Sequence, residues 1–206
     1  MLYDNPVSSN SLKVRIALAE LGLDHERREV PMPEPRPDWY LAINPVGRIP
    51  AIDDDGLLLS ESHAILRHLA RREARDDLYP ADLRDAALVD EFLDRWHTRI
   101  RPAFFRHEVP SLGYAPGKGG FYAVEPDMEK AAEVERQIQP LLALFDGLVS
   151  PDSAVLGRFT IADCAVAPVL FRTTRTGLDL GPYPTLTALR DTLLARPAFA
   201  RAQPVG

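Results

Sequence analysis

The run Asn44-Pro-Val-Gly-Arg-Ile-Pro-Ala-Ile-Asp-Asp-Asp-Gly-Leu-Leu-Leu-Ser-Glu-Ser-His-Ala-Ile-Leu66 decides how the rest of the chain is read. Gly47 and Pro50 punctuate a short apolar segment that continues through Ala51 and Ile52. Asp53-Asp-Asp-Gly56 is a hairpin-turn signal, and Leu57-Leu-Leu59 supplies the return strand. Ser60-Glu-Ser-His63 then opens a helix, with Ser60 or Ser62 placed to cap its unpaired N–H groups. Proline has no N–H, so Pro50 at the head of a strand leaves its neighbour's backbone free to pair elsewhere. A cis Ile49–Pro50 bond would turn that neighbour outward. Glu61 and Ser62 at a helix start offer N–H groups and a hydroxyl to a carboxylate, and a carboxylate to an ammonium. Together these points suit an extended peptide with a free amino-acid end. By spacing alone, the same residues also make an ordinary hairpin and a capped helix.

Upstream of this run, Leu2 and Tyr3 begin a strand that stops at Asn5-Pro6. Val14, Ala17, Leu18 and Leu21 follow helical spacing, and Gly22 sits where a C-cap glycine belongs. Residues 25–31 read as an edge strand, whose charges Glu26, Arg27, Arg28 and Glu29 suit exposure. Pro31 to Pro37 is a proline-rich loop, and Trp39-Tyr-Leu41 is a short apolar patch. Residues 1–74 therefore read as strand, helix, strand, short helix, hairpin, helix.

Downstream, a linker is expected over 75–85 and a helical region over 86–206. Val89, Phe92, Leu93, Trp96 and Ile100 form one core-facing stripe. Arg101-Pro102 interrupts it, so a kink or break is expected there. Residues 107–126, rich in Gly, Pro and Tyr, predict a mobile loop. Within it, Gly117-Lys-Gly-Gly120 lacks the spacing and the Ser/Thr of a phosphate-binding loop. Pro126 is placed in the first turn of the next helix, with a kink at Pro140. Its apolar face is Val134, Ile138, Leu141, Leu142, Phe145 and Leu148. In Gly157-Arg-Phe-Thr-Ile-Ala-Asp163, Thr160 and Asp163 fit a capping box, with Asp in place of Glu. A helix follows through Val166, Val169 and Leu170, and a last one runs from about Pro184 to Leu194.

The 206 residues suffice for a full core, in one large or two small domains. Apolar content of 46% and charged content of 26% are ordinary for a soluble globular protein. A net charge of −6 disfavours a nucleic-acid partner. Cys164 is the only cysteine, which rules out an internal disulfide and any cysteine-based metal site. A cytoplasmic location fits that usage. No signal peptide and no membrane span are expected.

Asn44-Pro-x-Gly-Arg-Ile-Pro50, followed eleven positions on by Glu61-Ser-x-Ala-Ile-Leu66, resembles the glutathione-binding half of cytosolic glutathione S-transferases. Thr160-Ile-Ala-Asp163 resembles the motif that opens the buried central helix of their C-terminal domain, where its job is folding. The resemblance implies a thioredoxin-like α/β domain over 1–74 and an all-α domain over 86–206 that holds the electrophile. It also implies glutathione as co-substrate, no metal, and a homodimer. The arginine-rich and acidic helices at 67–75 and 85–94 are consistent with the last. By the same resemblance, Ile49, before Pro50, pairs its backbone with the cysteinyl part of glutathione, and Glu61 and Ser62 take the γ-glutamyl end. Arg48 is placed either on the glycine carboxylate or in solvent. Trp96, His97 and Arg101 lie on the helix that faces the acceptor pocket; by position Trp96 reads as core, and His97 either lines the pocket or lies on the surface.

Val7-Ser-Ser-Asn-Ser-Leu-Lys-Val14 gathers hydroxyls and an amide where helix N–H groups are unpaired. For Ser9 and Ser11 the reading is an N-cap. A thiol of pKa ~8.5 is mostly protonated at neutral pH, and only the thiolate attacks well. A hydroxyl donating to the sulfur near a helix N-terminus favours the charged form. Ser8 through Leu18 resembles the first βα turn of serine-type transferases, nearest the zeta class, and places Ser8 on the sulfur with Ser9 as alternate. Asn10 replaces the zeta cysteine, which puts maleylacetoacetate isomerisation in doubt. An asparagine there is also similar to the nu class, which reduces disulfides. Three functions are thus carried forward: thiol transfer to an electrophile, glutathione-dependent disulfide reduction, and a non-catalytic binding module.

Overall fold

A computed structural model describes residues 1–32, 35–117 and 120–203. The first part is a four-stranded mixed sheet in the order β2-β1-β3-β4, built from β1 (Leu2–Asp4), β2 (Arg27–Glu29), β3 (Ala51–Asp54) and β4 (Leu57–Ser60). β2 runs parallel to β1, while β3 and β4 are antiparallel to their neighbours. Strand alternation in β1 sorts the two faces. Leu2 points to Val14 and Leu18 of α1 (Ser9–Leu21) and to Ile65 and Leu69 of α3 (Ser62–Arg72). Tyr3 packs on the other face, where α2 (Asp38–Leu41) places Tyr40 against Val30 and Ala51. Gly22 ends α1 in the left-handed conformation at φ 67°, which a Cβ would disfavour. The exposed, charged β2 is the edge strand expected from its composition.

The second part is helical: α4 (Leu83–Arg95), α5 (Arg101–Ser111), α6 (Met128–Leu148), α7 (Ile161–Thr176), α8 (Pro184–Leu194) and α9 (Pro197–Ala202). Its core gathers Trp96, Phe104, Phe145, Leu142, Leu170 and Leu186, and it continues into Leu12, Ile16 and Leu66 of the first part. The whole is a thioredoxin-like α/β domain joined to a helical domain.

Several expectations change. The break near Pro102 is a π-helical segment, Trp96–Ile100, joining α4 to α5, in which the Arg101 N–H reaches back to the Trp96 carbonyl. Proline cannot donate, so widening the turn before it lets the preceding donors find partners. The 107–126 loop is instead the end of α5 followed by an antiparallel hairpin, β5 (Tyr114–Gly117) with β6 (Gly120–Ala123). Lys118 and Gly119 of Gly117-Lys-Gly-Gly120 lie outside the described residues, as do Pro33 and Glu34 of the proline-rich loop. Gly113, at φ 66°, starts the hairpin where a Cβ would lie 2.2 Å from the Val124 carbonyl, so only glycine fits. Pro126 precedes α6 rather than opening it, because Asp127 takes the cap and accepts the Lys130 N–H. α8 is not the last helix; α9 follows and packs on α1.

Candidate functional site

Strand register brings three loops to one end of the sheet. Tyr3 lies opposite Ala51, and Ala51 lies opposite Ser60. The chain leaving β1 at Asp4, entering β3 after Pro50 and leaving β4 at Ser60 therefore meets at that end. The sequence motifs, far apart in the chain, share one rim for this reason.

On the first of these loops the Ile49–Pro50 bond is cis. The Arg48 carbonyl accepts hydrogen bonds from Tyr40 Oη and, at 2.6 Å, from Asn44 Nδ2. Those two donors fix the peptide plane between Arg48 and Ile49. Among the described residues no hydrogen bond uses the Ile49 N–H or carbonyl, so both are open to an extended ligand. Arg48 is exposed.

At the second loop, α3 begins without a side-chain cap. Glu61, not Ser60 or Ser62, occupies the cap position, at φ 68° and ψ 109° with its carboxylate exposed. This is a costly conformation for a residue with a Cβ. Ser62 opens the helix and is half-buried. An uncapped N-terminus with a hydroxyl and an adjacent carboxylate fits an amino-acid end: its carboxylate on the N–H groups, its ammonium at Glu61.

The third loop carries the serines. Ser8, and not Ser9 or Ser11, is the N-cap of α1; its Oγ accepts the Ser11 N–H at 3.2 Å. Accepting that bond leaves the Ser8 hydroxyl proton free to donate outward. Ser9 turns inward: it is buried, and its Oγ accepts from Arg101 Nη2 at 3.2 Å. Ser11 Oγ accepts the Asn5 N–H at 3.4 Å. Asn10 is exposed in the first turn of α1. The loop itself is braced, with Asn5 Nδ2 donating to the Val30 carbonyl at 3.0 Å and Asn5 Oδ1 accepting the Val7 N–H at 3.1 Å.

Of the expected pocket residues, Trp96 is not in a pocket. It is fully buried against Phe104 and Phe145, with ring centroids 6.1 and 5.4 Å away. Its place on the core stripe outweighs its place on a site-facing helix. His97 is exposed and meets His63 edge-on at 5.7 Å. Arg101 reaches under the serine loop rather than into open space.

Four residues escaped the motifs. Lys13 is buried in α1, and its Nζ lies 3.3 Å from His63 Nε2. Burial lowers the Lys13 pKa to about 7, helped by the Arg101 charge and opposed by Glu108 and Glu61. Burial, then the charges of Lys13, His97 and Arg67, keep His63 neutral, with a pKa of about 2. Glu108 is buried and joins Arg101 at 3.1 Å to Arg172 at 2.7 Å. The available signal was α1 itself. Residues Leu12 to Leu18 are all buried, so the helix has no solvent face for Lys13 and Arg15.

The family model described as the glutathione S-transferase N-terminal domain matches residues 7–72, and the one for the C-terminal domain matches 96–197. Glutathione S-transferase 3 of Zea mays is 34% identical over 215 residues, covering 97% of this chain and 91% of the maize protein. Maleylacetoacetate isomerase of Pseudomonas aeruginosa is 31% identical over 210 residues, covering 98% and 95%. A glutathione transferase homolog from Lodderomyces elongisporus, crystallised with two GSH per subunit, superposes with a TM-score of 0.77 at 26% identity, covering 98% of this chain and 95% of that one. With sheet, helical domain and paired family matches in agreement, this chain belongs to the glutathione S-transferase family.

Proposed function

We propose that the protein is an enzyme that binds glutathione along the rim formed by Ile49, Glu61 and Ser62, lowers the pKa of its thiol through Ser8, and directs the thiolate at an electrophilic small molecule. The observation that carries this reading is the Ser8 hydroxyl. It is oriented by the Ser11 N–H, its proton is unspent, and it stands at the N-terminus of α1 on the rim that the other two loops share. The peptide backbone of glutathione would pair with Ile49 and its γ-glutamyl end with the uncapped start of α3. Arg48, exposed beside Ile49, would take the glycine carboxylate. The helix N-terminus and the hydroxyl both favour a negative sulfur. One pKa unit corresponds to ~1.4 kcal/mol, within reach of one charge-assisted hydrogen bond. His97, exposed beside His63, would contact the electrophile from the helical domain.

The test is Ser8→Ala. Glutathione affinity by calorimetry should change little, while turnover at neutral pH should fall roughly tenfold or more and recover in part as pH rises. Because Ser8 is also the N-cap, the variant should lose ~1 kcal/mol of stability. Full turnover in Ser8→Ala would remove it from the mechanism.

A second reading is glutathione-dependent disulfide reduction, favoured by the exposed amide of Asn10 in the first turn of α1, which can donate twice to a sulfur. Loss of activity in Asn10→Ala with a small disulfide as substrate, and not with a chloronitrobenzene, would select it. Isomerisation, the activity in the name of the Pseudomonas relative, is a third chemistry for the same thiolate. Family membership supports a homodimer. The charge argument for it weakens, because Arg67 pairs with Asp90 at 2.7 Å within one protomer.

A further inference from the structure

Two guanidinium groups from the helical domain grip the serine loop on either side of Ser8. Arg172 of α7 donates to the Val7 carbonyl, and Arg101 of α5 donates to Ser9 Oγ at 3.2 Å. The two arginines would repel each other were it not for Glu108. Its Oε2 accepts from Arg172 Nη1 at 2.7 Å and from Arg101 Nη2 at 3.1 Å. The Glu108 side chain is 3% exposed, and those of Arg101 and Arg172 are 13% and 16% exposed, so water screens the cluster poorly. Lys13 lies close enough for its charge to be felt by both Arg101 and Glu108. One carboxylate therefore organises an excess of positive charge directly behind the loop. Among the described residues Glu108 Oε1 and Arg101 Nη1 are buried without partners, so the cluster is not filled out as a purely structural network would be.

We infer that Glu108 is a positioning residue. It holds Arg101 and Arg172 on Ser9 and Val7, and so fixes the Ser8 hydroxyl on the glutathione sulfur. The inference rests on the proposed role of Ser8. A rigid donor contributes at the moment of reaction because it needs no reorganisation. A loop released from both arginines would spend part of its time with that donor misaimed.

The sign of one shift separates positioning from plain electrostatics. Removing a carboxylate makes the surroundings more positive, which by charge alone would lower the thiol pKa. Loss of positioning would raise it. In Glu108→Ala, thiolate absorbance of bound glutathione against pH should therefore shift upward by about one unit. Turnover at neutral pH should fall about tenfold, with KM for glutathione unchanged. Glu108→Gln, which keeps an acceptor oxygen of the same reach, should restore much of the loss. A thiol pKa that falls or stays put in Glu108→Ala overturns the inference. If that variant does not fold, Arg172→Lys keeps the positive charge but, with one nitrogen in place of two, loosens the grip on Glu108 and Val7 together; it should likewise raise the thiol pKa, and an unchanged or lower value there overturns the inference as well. The Ser8 reading fails separately, if wild-type protein leaves the thiol pKa of bound glutathione at its free value.

Discussion

Two helices of this protein begin in opposite ways. α7 starts deep in the core. Thr160 caps it through the Ala162 N–H, and Asp163 returns the favour by accepting the Thr160 N–H at 2.8 Å and the Ala154 N–H at 2.7 Å. Both residues are fully buried. α3 starts at the rim with no side-chain cap, behind an exposed glutamate at positive φ. The physical problem is identical in the two places: several backbone donors without intrahelical partners. In α7 the chain solves it alone, which is what folding requires. In α3 it leaves the donors open and accepts an unfavourable backbone, which makes sense where a ligand is to supply the missing acceptor.

The largest effect should come from spoiling the closed solution. Asp163→Ala strands the Ala154 and Thr160 N–H groups in the core, at ~1–3 kcal/mol each, so urea denaturation should show a loss of roughly 3–5 kcal/mol. Glutathione affinity of the molecules that remain folded should not change. A loss under about 1 kcal/mol would dissolve the contrast between the two helix starts.

The next effect extends the contrast to buried charge. Asp163 has donors on two sides, although burial pushes its carboxyl up to about 7 against their pull. Among the described residues Lys13 has only His63 within hydrogen-bonding distance. Its folded pKa, about 7, lies below the ordinary lysine value of 10.5. The unfolded chain therefore binds more protons between those values, and stability rises with pH across that window. Below it the full cost of burying the ammonium is present. Between about pH 7 and pH 9 this one group should add roughly 2 kcal/mol, measured as the difference in denaturation free energy between wild type and Lys13→Met. Parallel pH profiles for the two proteins would show that Lys13 finds better solvation than its surroundings offer.

Smallest in stability, but sharpest for the comparison, is Glu61. Glu61→Ala should raise the glutathione dissociation constant about tenfold or more, since a charged hydrogen-bond partner contributes ~1.5–3 kcal/mol. Glu61→Gly should weaken binding as much, yet melt higher, because glycine relieves up to ~1 kcal/mol of backbone strain. If both variants bind as tightly as wild type, the open helix start has no bearing on glutathione.

Most of the fold was legible because it is written in local signals. Gly22 ended α1, the Asp53 to Gly56 turn set the hairpin, and Thr160 with Asp163 opened α7. The β5–β6 hairpin was missed because Gly, Pro and Tyr mark turns and edge strands alike. The residues of the rim were legible as a motif. Which serine caps α1 was not, since three candidates within four positions differ only in where their side chains point. Glu108 and Arg172 were invisible for a different reason. The partners of Arg172 lie 64 and 165 residues away, and no period in a sequence reports a contact of that kind.

α1 belongs to both halves of the molecule. One side of it meets the sheet and α3, and the other meets α7 and α9, where Arg15 Nε reaches the Ala202 carbonyl and Glu20 holds Arg196 at 2.6 Å. Two architectures that look separable in the order of their elements therefore share a structural beam. Cutting the chain in the linker would leave the first half with an apolar helix face bare to water, a recipe for aggregation rather than for an independent module. Heating the intact protein should accordingly give one cooperative transition instead of two, with the Ser8 loop and the far end of the helical domain melting together.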